Sequence, residues 1–228
     1  MFTGIVQGVA RVAQVEDQPG LRSIGLVFPP GFGGGLETGA SVAVDGVCLT
    51  VTSHDGDGAR FDVMQQTLGT TTLGTLRVGS TVNVERAARH GAEVGGHVLS
   101  GHVDAKGVLA QVRRPENNHV LRIAVPAPWM RYVFAKGYIA VNGASLTVAQ
   151  AERDGDGAGW FEVWLIPETL RMTTFGACRE GDALNLEIER QTQVIVDTVR
   201  EVVEQRLASY TGLLDTLLRE RGGHLGNG

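Results

Sequence analysis

The chain states one pattern twice. Val44-Asp45-Gly46-Val47-Cys48-Leu49-Thr50-Val51 returns 97 residues later as Val141-Asn142-Gly143-Ala144-Ser145-Leu146-Thr147-Val148. Thr71-Thr72-Leu73-Gly74 returns as Thr173-Thr174-Phe175-Gly176, and Val82-Asn83-Val84-Glu85 as Leu184-Asn185-Leu186-Glu187, both displaced by 102. Solenoid units run about 20–50 residues, so a period near 100 is a domain duplication. The 228 residues then divide into two units of ordinary domain size. Two copies of one unit can bind two copies of one molecule, and the positions where the copies differ treat the two molecules unlike.

Within each unit short apolar runs alternate with period two. Ser41-Val42-Ala43-Val44, Val47 to Val51 and Arg60-Phe61-Asp62-Val63-Met64 find counterparts in Tyr138-Ile139-Ala140-Val141, Ala144 to Val148 and Phe161-Glu162-Val163-Trp164. Turn signals every 8–12 residues, and glycine at 32 positions, predict small antiparallel barrels rather than an α/β fold. Asp55-Gly56-Asp57-Gly58 and Asp154-Gly155-Asp156-Gly157 read as hairpin connections. A calcium loop is excluded because Ala59 or Ala158 would fill its fifth position and the closing Glu is missing. After Arg190 the period changes. Ile195, Val199, Val203, Leu207, Tyr210, Leu214 and Leu217 recur at three and four, which predicts an amphipathic helix that either covers a barrel or, as the length of the stripe favours, joins subunits, with Gly212 a place where it can kink or divide.

Composition removes several function classes. Net charge is −5 without a basic stripe, which argues against nucleic acid. No apolar run reaches membrane-spanning length. The Met1-Phe2-Thr3-Gly4 opening lacks the charged and apolar regions of a signal peptide. Cys48 and Cys178 do not occupy matching positions in the repeat, so a disulfide framework is not expected and a cytoplasmic, reducing setting is. Gly-x-Ser-x-Gly, dinucleotide and P-loop signatures are absent, and Gly31 to Gly35 reads as a loop.

Alternation also assigns faces. Val47, Leu49 and Val51 point inward, as do Ala144, Leu146 and Val148, so Cys48, Thr50, Ser145 and Thr147 point outward. On the next strand Asp62, Met64, Trp164 and Ile166 are expected to face outward too. Apolar side chains beside hydroxyls on an outer face mark a ligand or partner surface. The inferred site therefore lies outside each barrel, between barrels. Paired positions differ in chemistry: Ile5 against His102, Gly39 against Lys136, Cys48 against Ser145, Met64 against Ile166 and Gln65 against Pro167. On this reading one pocket carries an imidazole and an ammonium and the other does not. A metal site at His97 and His102 is not expected, because Asp104 is the only carboxylate near them.

Met1-Phe2-Thr3-Gly4-Ile5-Val6, Gly46-x-Cys48-Leu49-Thr50-Val51, Gly95-Gly96-His97-x-x-x-Gly101-His102, Gly143-x-Ser145-Leu146-Thr147-Val148 and Ile166-Pro167-Glu168-Thr169-Leu170 together resemble the riboflavin synthase family of the alpha-chain type, over about residues 1–205. The resemblance implies an all-β chain of two tandem six-stranded antiparallel Greek-key barrels plus a C-terminal α-helix. Its divisions are lumazine-binding barrels at 1–96 and 97–190 and an oligomerisation helix at 191–221. It implies dismutation of two molecules of 6,7-dimethyl-8-ribityllumazine to riboflavin and 5-amino-6-ribitylamino-uracil by transfer of a four-carbon unit, without cofactor or metal. It further implies a homotrimer with the active site between the first barrel of one subunit and the second of a neighbour, and lumazine synthase as an associating partner.

Carried over by motif, Cys48, His102, Lys136, Ser145, Thr147 and Glu189 are the chemical residues, with His102 the candidate proton shuttle. Supporting or substrate-holding positions are Phe2, Thr3, Gly4, Ile5, Val6, Ser41, Leu49, Thr50, Asp62, Val63, Met64, Gln65, Gln66, Thr67, His97, Gly101, Val103, Leu146, Trp164, Leu165, Ile166, Pro167, Glu168 and Thr169. Three departures stand out. Ile188-Glu189-Arg190-Gln191-Thr192-Gln193 replaces the family's Ile-Asp-Pro-Gln-Thr-Gln, so the carboxylate is one methylene longer and the rigid proline is gone. Trp164 is bulkier than the family pattern, and the tail after Leu207 is longer. Two alternatives remain at this level: a non-catalytic lumazine- or flavin-binding antenna protein, and a barrel that only scaffolds subunits.

Overall fold

The structure, a computed structural model, describes residues 1–116 and 118–222, with side chains as far as Thr211. Twelve strands form two closed six-stranded barrels. The first contains β1 (Gly8–Gln18), β2 (Leu21–Val27), β3 (Ser41–Val44), β4 (Val47–His54), β5 (Gly58–Met64) and β6 (Thr81–Arg86). The second contains β7 (Ala105–Arg113), β8 (His119–Val125), β9 (Tyr138–Val141), β10 (Ala144–Arg153), β11 (Gly159–Leu165) and β12 (Ala183–Ile188). Strand order around the first is β1-β2-β5-β4-β3-β6, and the second repeats it as β7-β8-β11-β10-β9-β12. Short helices α1 (Gln65–Thr70), α2 (Ala127–Met130) and α3 (Pro167–Met172) decorate the barrels.

The alternation of apolar residues builds the interiors. Val42, Val44, Leu49, Val51, Phe61, Val63, Val82 and Val84 fill the first barrel, and Ile139, Val141, Leu146, Val148, Phe161, Val163, Leu184 and Leu186 the second. Register corrects one correspondence. Val51 pairs with Phe61 and Val148 with Val163, so Phe61 matches Val163 rather than Phe161, and Asp62 matches Trp164. The extra residues of the second copy are absorbed in the β10–β11 hairpin, where β10 runs ten residues against eight in β4 and Asp154 N–H donates to Ala158 O across a longer turn.

The tight turns β3–β4 and β9–β10 touch back to back on the axis relating the barrels. Asp45 (φ 44°) and Asn142 (φ 43°) precede Gly46 and Gly143 (both φ 80°), the left-handed pair that a two-residue hairpin needs. A Cβ on Gly46 would lie 2.7 Å from the Gly143 nitrogen. Four buried side chains lace this centre. Asn83 and Asn185 N–H donate to Asp45 Oδ1 (2.8 Å) and Asn142 Oδ1 (2.7 Å), and their amides donate across to Asn142 O and Asp45 O (both 2.9 Å). Burial pushes the Asp45 carboxyl up to about 7, against the hydrogen bond from Asn83.

The residues Met1–Glu189 are one compact unit, and the final helix α4 (Arg190–Gly222) is a second, described here by itself. It runs unbroken through Gly212, so the expected division there is absent: one glycine costs about 1 kcal/mol of helix propensity, too little to break a helix of 33 residues. Ile195, Val199, Val203, Leu207 and Tyr210 form its apolar stripe, each 48–65% exposed. Leu214 and Leu217 lie beyond the described side chains.

Candidate functional site

The outward faces of β4 and β10 carry the expected side chains. Cys48 and Ser145 are half-buried, Thr50 and Thr147 exposed, and Leu49 and Leu146 buried. Thr50 pairs with Ser41 and Thr147 with Tyr138. On β5 and β11 Asp62, Met64 and Trp164 face solvent while Val63 and Leu165 point into the cores, and Ile166, just past β11, is exposed as well. Asp62 Oδ1 accepts from Ser23 Oγ at 2.5 Å. Gln65, Gln66, Pro167 and Glu168 are exposed at the starts of α1 and α3, with Thr67 and Thr169 half-covered behind them. Glu168 is tied to Arg171 at 2.6 Å, which holds its carboxyl below the usual range.

The segments that enter each barrel cross over. Phe2 and Leu99 exchange both backbone hydrogen bonds (2.9 and 3.0 Å), so the two segments run antiparallel between the barrels. Ser145 N–H donates to Gly4 O, and Cys48 N–H to Gly101 O, both at 2.8 Å. A Cβ on Gly4 would fall 2.5 Å from Ser145 Cβ, and one on Gly101 2.5 Å from Cys48 Cβ. At φ +74° and +80° both positions suit glycine on conformational grounds as well. The start of the first copy thus lies against β10 of the second barrel, and the start of the second against β4 of the first.

This exchange corrects the sequence-based division of groups. His102, next after Gly101, stands beside the first barrel's β4, whereas Lys136 belongs to the second barrel. The imidazole and the ammonium are shared between the pockets rather than gathered in one. Around Ser145, Gly4, Ile5, Val6, Leu146, Glu168 and Thr169 enclose a hollow of about 270 Å³ with Ala144, Met172 and Thr173. A larger hollow of about 550 Å³ under residues 85–95 shares Ile5 with it but holds none of the candidate chemical side chains.

His97 has a larger part than expected. Its Nδ1 lies 2.6 Å from Ser145 Oγ, and its ring stacks on Tyr138 at 5.4 Å. Burial lowers its pKa, and the nearby Glu189 carboxylate opposes that shift. Lys136 sits at φ +69°, where its counterpart Gly39 has φ +89°, and the two N–H groups bond equivalent carbonyls, Val148 O and Val51 O. A non-glycine residue held there costs on the order of 1 kcal/mol, strain that accumulates at functional sites. Among the described residues no His, Cys, Asp and Glu cluster fits a metal ion.

Two carboxylates that the sequence reading left among the strands organise the crossing. Glu85 Oε1 accepts from Thr3 N–H (2.6 Å) and Thr3 Oγ (2.8 Å), and Oε2 from Gly4 N–H (3.1 Å). Glu187 Oε1 accepts from Ser100 N–H and Oγ (both 2.7 Å), and Oε2 from Gly101 N–H (3.0 Å). Both pKa values are raised, by burial first, with these hydrogen bonds pulling the other way. The repeat marks them as equivalent positions on the non-core face of a strand, but nothing in the sequence shows that this face is buried.

Comparison with known proteins bears on this geometry. Residues 3–87 and 100–189 each match the lumazine binding domain family. The riboflavin synthase of Escherichia coli (strain K12) is 44% identical over 207 residues, 90% of this chain and 95% of that protein. The chain belongs to the riboflavin synthase family. The riboflavin synthase of Mycobacterium tuberculosis (strain H37Rv) is 43% identical over 216 residues, covering 92% and 99%. Among solved structures, LumP complexed with riboflavin superposes with a TM-score of 0.73 at 26% identity, over 83% of this chain and all of that one. LumP complexed with 6,7-dimethyl-8-(1'-D-ribityl) lumazine gives 0.71 at 25% identity. The duplicated fold and the family membership expected from sequence therefore hold.

Proposed function

We propose that this chain is a transferase that converts two molecules of 6,7-dimethyl-8-ribityllumazine into riboflavin and 5-amino-6-(D-ribitylamino)uracil by moving a four-carbon unit from one to the other. The observation that carries the reading is the pair of equivalent outer faces, where Cys48 packs against Gly101 and Ser145 against Gly4. They share one architecture, which suits two identical ligands, and present unlike groups, which suits unlike roles. Family membership supplies the substrate class, and the ligands named for the LumP structures agree with it.

The chemistry needs little from the protein beyond placement. The 7-methyl protons of the lumazine are acidic because the ring delocalises the anion left behind. One molecule gives up such a proton and becomes the nucleophile, and the other is made electrophilic at C7. Holding two flat rings face to face contributes several kcal/mol toward the barrier, and positioned acid–base groups about 10²–10⁴-fold more. In the first pocket His102 is the candidate proton carrier, beside Cys48 and Thr50. In the second, burial lowers the His97 pKa and its Nδ1 lies 2.6 Å from Ser145 Oγ, so in the Nε2–H tautomer the ring would accept from that hydroxyl and sharpen its oxygen as a nucleophile. Thr147 and the Lys136 ammonium stand by to stabilise charge on the ring, and Glu189 biases His97.

The complete site is proposed to form between the first barrel of one subunit and the second of a neighbour, in a homotrimer gathered through the exposed stripe of α4. No helix of the described residues is long and apolar enough to cross a membrane, and both cysteines are free, which agrees with a cytoplasmic setting. The purified protein incubated with 6,7-dimethyl-8-ribityllumazine alone is expected to consume two molecules for each riboflavin formed. Ligand binding without turnover would select the antenna reading instead, and absence of binding the scaffold. Sedimentation equilibrium tests the trimer.

A further inference from the structure

We propose that the two pockets are cross-wired: Glu187, on the second barrel's last strand, is the positioning residue for the first barrel's pocket, and Glu85, on the first barrel's last strand, for the second's. The inference rests on the proposed function and concerns how its two half-sites are held.

The wiring can be followed atom by atom. Glu187 receives three hydrogen bonds from Ser100 and Gly101. The same Ser100 hydroxyl accepts from the His102 N–H at 3.2 Å. Gly101 O receives the Cys48 N–H at 2.8 Å. One buried carboxylate therefore fixes both the backbone that carries His102 and its seat against Cys48. Glu85 repeats the arrangement. It receives three bonds from Thr3 and Gly4. Thr3 Oγ accepts from Ile5 N–H at 3.3 Å, and Gly4 O receives the Ser145 N–H at 2.8 Å.

Both oxygens of each carboxylate act as acceptors. A glutamine would turn an N–H₂ group toward one of the donors and lose the clamp. Neither glutamate approaches a reactive side chain of its own barrel in these contacts. Each acts across the boundary, through a segment of about six residues. A change in one barrel is therefore felt at the other's ligand.

Each pocket has its own reporter. Cys48 belongs to the first pocket, and the other thiol, Cys178, is pushed up to about 11 by burial and the nearby Asp182 and Asp45, so alkylation near pH 7.5 reads Cys48. Trp164 is exposed on β11, the strand paired with the Ser145 strand, and is isolated by replacing the chain's other two tryptophans, Trp129→Phe and Trp160→Phe. Riboflavin is titrated while Cys48 protection and Trp164 quenching are followed. Glu187→Ala and Glu187→Gln are expected to raise the riboflavin concentration that protects Cys48 about tenfold or more, leaving Trp164 quenching within about twofold; Glu85→Ala and Glu85→Gln are expected to do the reverse.

Should either glutamate variant fail to fold by circular dichroism, Ser100→Ala and Thr3→Val remove only the hydroxyl relays, with the same crossed pattern at about threefold. Losses confined to the mutated barrel's own pocket, or equal losses in both, overturn the wiring while leaving the proposed function in place. Failure of the unmutated protein to bind riboflavin at either reporter overturns both.

Discussion

The two barrels share strand order, turn geometry and the Gly–Cβ packing of the crossed segments, yet they hold different chemistry. The first presents Cys48, Thr50 and a Ser23–Asp62 hydrogen bond, and borrows His102. The second presents Ser145, Thr147, Lys136 and Trp164, and adds His97. The shared features are backbone and core, where one solution serves both copies. The unlike features sit on outward faces, where a side chain changes without disturbing the interior. Duplication followed by divergence on one face thus gives one barrel design two chemically unlike outer faces.

The comparison is broken most sharply at the acid–base groups. His102→Gln and Ser145→Ala are each expected to lower turnover by about 10²–10³-fold, in the pH-independent region of the rate profile. An unchanged rate in either variant removes that residue from the chemistry. Next in size are the crossed glycines. Gly4→Ala and Gly101→Ala drive a methyl into Ser145 or Cys48 at a positive φ, and each is expected to cost about 3 kcal/mol in urea unfolding. A cost under 1 kcal/mol in either would show the crossing to be loose.

Asp45 against Asn142 sharpens the comparison at the axis. The folded Asp45 carboxyl titrates near 7, above the 3.8 of an unperturbed aspartate, so the native state holds the extra proton between those values. Stability tied to this group is full below about pH 4 and falls as pH rises through 7. Asn142 accepts the same backbone bond without titrating. Asp45→Asn is therefore expected to raise stability at pH 8 by on the order of 2 kcal/mol and to leave it little changed at pH 4; equal effects at both pH values would contradict the assignment. The smallest effect belongs to Lys136→Gly, which restores the residue its backbone favours. It is expected to gain about 0.5–1 kcal/mol in stability while lowering turnover, and a variant losing both would show that the strained lysine has a packing role.

The strand faces were legible because a period of two is written residue by residue. Val47, Leu49 and Val51 turn Cys48 and Thr50 outward whatever else the chain does. The crossing was not legible. Residues 1–6 and 97–104 carry no long periodic pattern, and which barrel they lie against is settled by contacts with Cys48 and Ser145. The same blindness covers Asn83 and Glu85. They face away from the first core beside inward Val82 and Val84, yet are 2% and 3% exposed because the rest of the chain covers that face. Alternation reports a face, not what stands opposite it.

From sequence alone came the duplication, the barrels, the outward hydroxyls and the family, since each rests on local order or on likeness between segments. Tertiary structure alone decided which copy serves which pocket, the pairing of His97 with Ser145, and the burial of Glu85, Glu187 and Asp45. Those are relations between distant segments, set by how two closed surfaces meet, and short-range pattern carries no record of them.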